Sequence, residues 1–223
     1  MQTFLLTHES SLRLGVYLGV LALCLVLQGL WPRRAPSHPI AGRWLSNIGI
    51  AAINSVMLGL VFPVLAAGFA IVAADKGWGL LNLWDGPAVA EFIIAFLVLD
   101  FAIYAQHWAF HKVPMLWPLH AMHHADIDFD TTTGVRFHPL EIILSMLYKL
   151  ALVAVLGPSA AAVIVFEIVL NGTALFNHTN LRLPLGVDRL LRLFIVTPDM
   201  HRVHHSVHRT ETDSNYGFNL SIW

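Results

Sequence analysis

Five apolar runs restrict this chain more than any other feature. They are Leu12–Leu30, Ile48–Ala74, Ala88–Phe110, Leu140–Leu156 and Ala160–Phe176. A bilayer crossing needs about 20 mostly apolar residues, so the runs predict helices that span or enter a membrane. The first run does not read as a cleaved signal peptide. Its charges, Arg33 and Arg34, follow the run instead of preceding it, and no small-residue cleavage site comes after them. Pro63 predicts a kink in the second run. Trp78 and Trp84, set among polar neighbours, predict an interfacial belt. The last two runs are short and separated only by Gly157-Pro158-Ser159. They predict a tight helical hairpin that either crosses the bilayer or only dips into it.

Composition agrees. Of 223 residues, 57% are hydrophobic and 12% charged, against roughly 25% charged in a soluble domain. That excludes an ordinary soluble enzyme and a disordered chain. A formal net charge of −1 offers no basic excess for nucleic acid. The single cysteine, Cys24, excludes a disulfide framework and thiolate metal sites. The expected fold is all-α. It is a polytopic helical membrane protein with four to five membrane helices, read as one domain over 1–223. N-terminal spans occupy 12–87, and the histidine-rich region occupies 88–223.

Lys and Arg set the orientation. Arg33, Arg34 and Arg43 follow the first run, and Arg182, Arg189, Arg192, Arg202 and Arg209 follow the fifth, whereas only Lys76 follows the second. Alternation then puts the N-terminus outside, and 107–139 and the tail in the cytoplasm. Within the hairpin, Lys149 and Glu167 are equidistant from Pro158. A lone charge in a bilayer is costly, about 2.5–3.5 kcal/mol at least, so the two are expected to pair; the competing arrangement has Lys149 snorkelling outward. His138 and His178 are also equidistant from Pro158, which should bring both to the cytoplasmic mouth.

The chain has 13 histidines. His107 and His111 are spaced i, i+4. His120, His123 and His124 form H-x-x-H-H, and His201, His204 and His205 repeat it; His178 stands alone after the fifth run. Side chains at i, i+3 and i+4 neighbour one another on a helix, so each box can aim two or three imidazoles at one place. Pro118 and Pro198 mark helix starts before the two triple boxes. Nine imidazoles exceed the four of a structural zinc and fit two ions of four or five ligands each. Imidazole suits Zn, Cu, Fe and Ni. His8 and His38 read as ordinary surface residues. Asp126, Asp128, Asp130 and Asp199 are candidates to fix imidazole tautomers. Asp100 and Tyr104 share a helical stripe with His107 and His111, and either buttress that box or simply pack between spans.

In this order the boxes resemble the fatty acid hydroxylase/sterol desaturase superfamily of membrane di-iron oxygenases. The resemblance covers about residues 95–223. It extends to Arg136-Phe137-His138-Pro139-Leu140-Glu141, to Asn177-His178-Thr179-Asn180, to Thr197–Ser206 and to Asp213-Ser214-Asn215-Tyr216-Gly217. It implies that His107, His111, His120, His123, His124, His178, His201, His204 and His205 are catalytic metal ligands. His138 would be a tenth, and His208 could swing in. The chain departs from the pattern in two ways. Asn171 and Ala174 stand where acyl hydroxylases often place another His, and such proteins usually continue past Trp223 into a cytosolic tail. The catalytic region is therefore expected to be truncated.

The implied cofactors are two Fe ions. The implied chemistry is O2-dependent hydroxylation or desaturation of an unactivated C–H in a lipid, either a sterol, a fatty acyl chain or a related molecule. The chain carries no G-x-G-x-x-G, flavin motif or iron–sulfur cysteines, so an external electron donor is expected: a separate reductase with a small cytochrome or ferredoxin. The short N-terminus is compatible with a bacterial inner membrane. Three other classes compete. A metal transporter would hold its ligands near the bilayer midplane. A haem-binding electron carrier needs few histidines. An inactive scaffold of the same fold would keep the boxes without turnover.

Overall fold

The apolar runs become five helices long and apolar enough to cross a membrane, in a computed structural model that describes residues 2–223. In chain order the helices are α1 (Gln2–Thr7), α2 (Glu9–Leu30), α3 (Ile40–Val61), α4 (Ala66–Asp75), α5 (Ala88–Lys112), α6 (Trp117–His124), α7 (Pro139–Leu156), α8 (Ala160–Asn177), α9 (Leu185–Leu191), α10 (Pro198–His204) and α11 (Arg209–Thr212). Short 3-10 turns occupy Leu80–Leu83 and Thr131–Val135. The described residues contain no β-strand, only two isolated bridges. The chain is an all-α polytopic integral membrane protein. At 18 residues each, α7 and α8 reach about 27 Å, close to a hydrocarbon core of about 30 Å.

The second apolar run is not one kinked helix. The helix begins earlier than expected, at Ile40, and ends at Val61. An extended Phe62 and Pro63 separate it from α4, whose alanines pack against the turn of the α7–α8 hairpin. Ala66, Ala67, Ala70, Ala160 and Val163 make that contact. Small side chains let helix backbones approach closely, which is how membrane helices associate. α3 starts early because its first turns face polar loop, not lipid. Arg43 donates to Asp126 at 2.8 Å and to Asp130 at 2.9 Å, and Asn47 donates to Asp126 at 2.9 Å.

Hydrogen bonds fix which helix ends meet. At one end, Gln28 of α2 accepts from the backbone N–H groups of Thr131 and Asn180, close to the boxes. At the other, Glu91 at the start of α5 accepts from Ser159 between α7 and α8, and Leu6 of α1 packs beside Ala160. The C-terminal ends of α2, α5 and α8 and the N-terminal ends of α3 and α7 therefore lie on the histidine side. Gly157 stops α7 in the left-handed region, with φ 65°, and a Cβ there would meet the Trp78 carbonyl at 2.6 Å.

Lys149 and Glu167 pair across the hairpin, as their equal offset from Pro158 predicts. Glu167 also accepts from Arg13 of α2, which the sequence did not suggest. The buried carboxylate thus ties together three helices.

Candidate metal centre

Two short helices carry the triple boxes, and each starts as its proline predicts. The Thr197 hydroxyl accepts from Met200 N–H at the start of α10. At about 100° per residue, positions i and i+4 fall about 40° apart on a helix, while i+3 lies about 100° from i+4. Each H-x-x-H-H box is therefore split. His120 and His124 join His107, His111 and His204 in a group of five; His123 joins His178, His201 and His205 in a group of four. The third box divides the same way with the groups exchanged, because His201 and His205 go to the second group and His204 to the first. Within each group, all the candidate ligand nitrogens lie within 4.8 Å of one another.

The chemistry of these nitrogens fits cations. His107 Nε2 lies 3.0 Å from both His120 Nε2 and His204 Nε2. His178 Nε2 lies 3.0 Å from His123 Nε2 and 3.1 Å from His201 Nε2. Each of His107, His120, His123, His178 and His204 directs Nδ1 at an oxygen, so Nδ1 carries the proton and Nε2 the lone pair. The oxygens are the carbonyls of Tyr216 for His107 at 2.8 Å, Arg136 for His123 at 3.1 Å, Ala174 for His178 at 2.6 Å and Ser214 for His204 at 2.7 Å. For His120 it is the Glu141 carboxylate, at 2.7 Å. Lone pairs then converge at close range without donors between them, an arrangement that a metal ion relieves. Nε2 of His111, His124 and His205 and Nδ1 of His201 are buried and have no hydrogen-bond partner.

Burial first, and neighbouring imidazoles second, hold His120, His123, His124, His201, His204 and His205 well below the ordinary histidine range. Burial also brings His178 down to about 4. At neutral pH these rings are uncharged, which is the ligand form.

His138 is outside both groups. Its Nδ1 accepts from Leu140 N–H at 3.1 Å and caps α7, so the imidazole serves the helix start. The hairpin does bring His138 and His178 to the same end, but only His178 turns inward. His208 stands at the N-cap position of α11 without a side-chain cap bond and is in neither group, and neither is His8 or His38. The four aspartates are also reassigned. Asp126 and Asp130 serve Arg43, Asp128 accepts from Ser37 and His38, and Asp199 accepts from Arg33. None orients an imidazole, because arginines and backbone amides occupy them first.

Asp100 is likewise not a direct buttress. It accepts from Leu220 N–H at 3.2 Å and from the Trp223 indole at 2.8 Å. Tyr104 packs against Tyr216 and Trp223. Together they hold the segment whose Tyr216 carbonyl orients His107. Asp213 of the same segment pairs with Lys112 at 2.7 Å and lies 3.8 Å from His111 Nδ1.

Glu141, which the sequence places in the Arg136–Glu141 element without a partner, orients His120. A carboxylate in the first turn of an apolar helix was the available signal, since such a group needs a partner. Glu141→Ala is expected to weaken metal retention about 10–100-fold, the usual effect of removing an outer hydrogen bond to a ligand. Chelator titration followed by metal analysis measures it; unchanged retention would remove the orienting role.

A cavity of about 1030 Å³ opens beside the imidazoles, and His124 and His205 form part of its wall. Arg33, Arg34 and Arg202 form another part.

Comparison with known proteins follows the same lines. The family described as fatty acid hydroxylase matches residues 92–223. The chain is 34% identical to alkylglycerol monooxygenase of Homo sapiens over 150 residues, 66% of this chain and 32% of that protein. It is 29% identical to alkylglycerol monooxygenase of Xenopus tropicalis over 182 residues, 79% of this chain and 39% of that protein. It is 26% identical to the ornithine lipid hydroxylase OlsE of Rhizobium tropici over 220 residues, 93% of this chain and 63% of that protein. The chain thus spans well under half of these alkylglycerol monooxygenases and under two thirds of the ornithine lipid hydroxylase. No solved structure matches it. Covering more than half of the chain and every box in the two imidazole groups, the family match shows that this protein belongs to the fatty acid hydroxylase family.

Proposed function

We propose that this chain is a membrane-embedded di-iron lipid hydroxylase. The observation that carries the reading is the convergence of nine imidazoles into a five and a four with their lone pairs facing inward. His107, His111, His120, His124 and His204 would hold one ion, and His123, His178, His201 and His205 the other. Two irons so held supply O2 activation and attack on an unactivated C–H bond. The relatives' names favour hydroxylation over desaturation, and a lipid over a soluble substrate.

The chain's own residues do the rest. Backbone carbonyls and Glu141 hold Nδ1–H and thereby aim Nε2. Burial keeps the rings neutral. The segment from Asp213 to Trp223 closes over α5 and positions rings from the first and third boxes. Two electrons come from a separate reductase acting through a small cytochrome or ferredoxin. The excess of Lys and Arg on the histidine side favours a cytoplasmic centre, and a bacterial inner membrane is the proposed location. A midplane transporter is disfavoured, since the imidazoles gather at helix ends.

Metal analysis of chain purified after expression with iron is expected to give about two irons per chain and no Soret band. Lipid extracts incubated with 18O2 and a reductant should then gain one labelled oxygen. A single haem, or metal near zero, would refute the reading.

A further inference from the structure

We propose that the cavity beside the imidazole groups grips the anionic head group of a membrane lipid, a phosphate or carboxylate, through Arg34 and Arg202. This rests on the reading above that the substrate is a lipid, and it narrows that substrate to an acidic amphiphile.

Arg202 is a buried cation with unused donors. Its side chain is only 12% exposed, and its Nε is buried without a hydrogen-bond partner. The nearest carboxylate, Asp199, stands 3.8 Å away and already accepts from Arg33 at 3.0 Å. A buried guanidinium left short of acceptors is costly, and an anion that completes its fork is the natural remedy. Arg34 has no side-chain partner among the described residues, yet its backbone is held firmly. Asn180 accepts from Arg34 N–H at 3.2 Å and donates to its carbonyl at 2.7 Å. The same Asn180 Oδ1 accepts from Arg202 Nη2 at 3.3 Å. One asparagine therefore aligns both arginines on one wall of the cavity.

The aspartates of that cavity already have donors of their own. Asp126 and Asp130 are spent on Arg43, Asp128 on the 37–38 backbone and the Ser37 hydroxyl, and Asp199 on Arg33. Glu211 stands exposed on the rim.

Two further observations point to a lipid and not to a free anion. Ile127 and Val207 line the same cavity although they are 66% and 95% exposed, an apolar margin suited to an acyl or alkyl chain. The arginine wall also lies one ring from the centre. The Arg202 guanidinium carbon sits 4.6 Å from the Phe129 ring centroid, and that ring sits 4.9 Å from the His205 ring. A head group held by Arg202 therefore leaves the first part of its chain nearest the imidazoles.

The test compares binding of dioctanoyl phosphatidic acid and dioctanoylglycerol, which share chains and differ in the phosphate. The purified metal-loaded chain in neutral detergent is used. The phosphatidic acid is expected to bind at least about tenfold tighter, the scale of one charge-assisted hydrogen bond. Arg34→Ala should erase most of that preference without changing metal content. Arg202→Lys should weaken it, since an ammonium lacks the fork. Equal affinity for the two probes, or a preference untouched in both variants, would overturn the proposal. So would displacement by inorganic phosphate at the lipid's own concentration, which marks a free-phosphate site. Selective binding by a chain that oxidises no lipid would uphold the head-group site and refute only the hydroxylase reading.

Discussion

His123→Ala and His124→Ala, substitutions at adjacent positions, are expected to leave different amounts of metal in the chain. His123 belongs to the group of four and His124 to the group of five. His123→Ala leaves three imidazoles in the smaller group, and the chain should purify with about one metal instead of two, since four donors is the usual closed set. His124→Ala leaves four, and both metals should stay, more weakly held. The affinity lost in His123→Ala should exceed the ~10–100-fold that follows loss of an outer hydrogen bond. Lipid oxidation should fall to background in His123→Ala and persist at a reduced level in His124→Ala. Metal analysis beside circular dichroism separates ligand loss from misfolding. Two metals retained in folded His123→Ala would sink the division into a five and a four.

Glu167→Ala is expected to be the most destabilising single change away from the imidazoles. The carboxylate is 6% exposed and faces Lys149 of α7 and Arg13 of α2. Removing it leaves two cations to share what is left, at about 3–5 kcal/mol for a broken buried pair. Arg13 keeps Glu9 at 2.8 Å, so the stranded group is chiefly Lys149. The double variant Lys149→Met with Glu167→Leu should therefore recover most of the loss. Thermal melts in detergent decide between these outcomes. If the double variant melts no higher than Glu167→Ala, the charge argument fails and the carboxylate matters through Arg13.

Much of the architecture was legible because membrane helices are written in long stretches of one chemistry. The five runs, the hairpin at Pro158 and the Lys149–Glu167 pair follow from hydropathy and from equal depth on either side of a turn. The break after Val61 was harder to read. Hydropathy does not change across Pro63, and α4 is distinguished only by the small residues it presses against the hairpin. The early start of α3 was hidden for the opposite reason. Arg43 and Asn47 look like a loop until Asp126 and Asp130 are brought opposite them.

The candidate centre divides along the same line. Residue types and spacings already named the nine imidazoles, because a 3.6-residue turn lets i, i+3 and i+4 histidines share one end of a helix. They also named His138, whose equal offset from the turn brings it to the same end while its ring caps α7. Spacing sets the i+3 member of each box apart from the other two but carries no sign of which group each part joins. That depends on how α6 and α10 are rotated against α5 and α8, and the rotation sends His123 and His204 away from their box-mates. Nor does spacing reveal what holds the rings. Four of the five Nδ1 partners are backbone carbonyls, which every residue possesses, and two of them lie in the segment after Asp213. Local order along the chain was enough to specify a helical membrane protein with a histidine-rich end. Only three-dimensional packing could choose five against four and place Arg34 and Arg202 on one wall, because those contacts join residues far apart in the chain, 97 positions for His107 and His204 and 146 for Arg34 and Asn180.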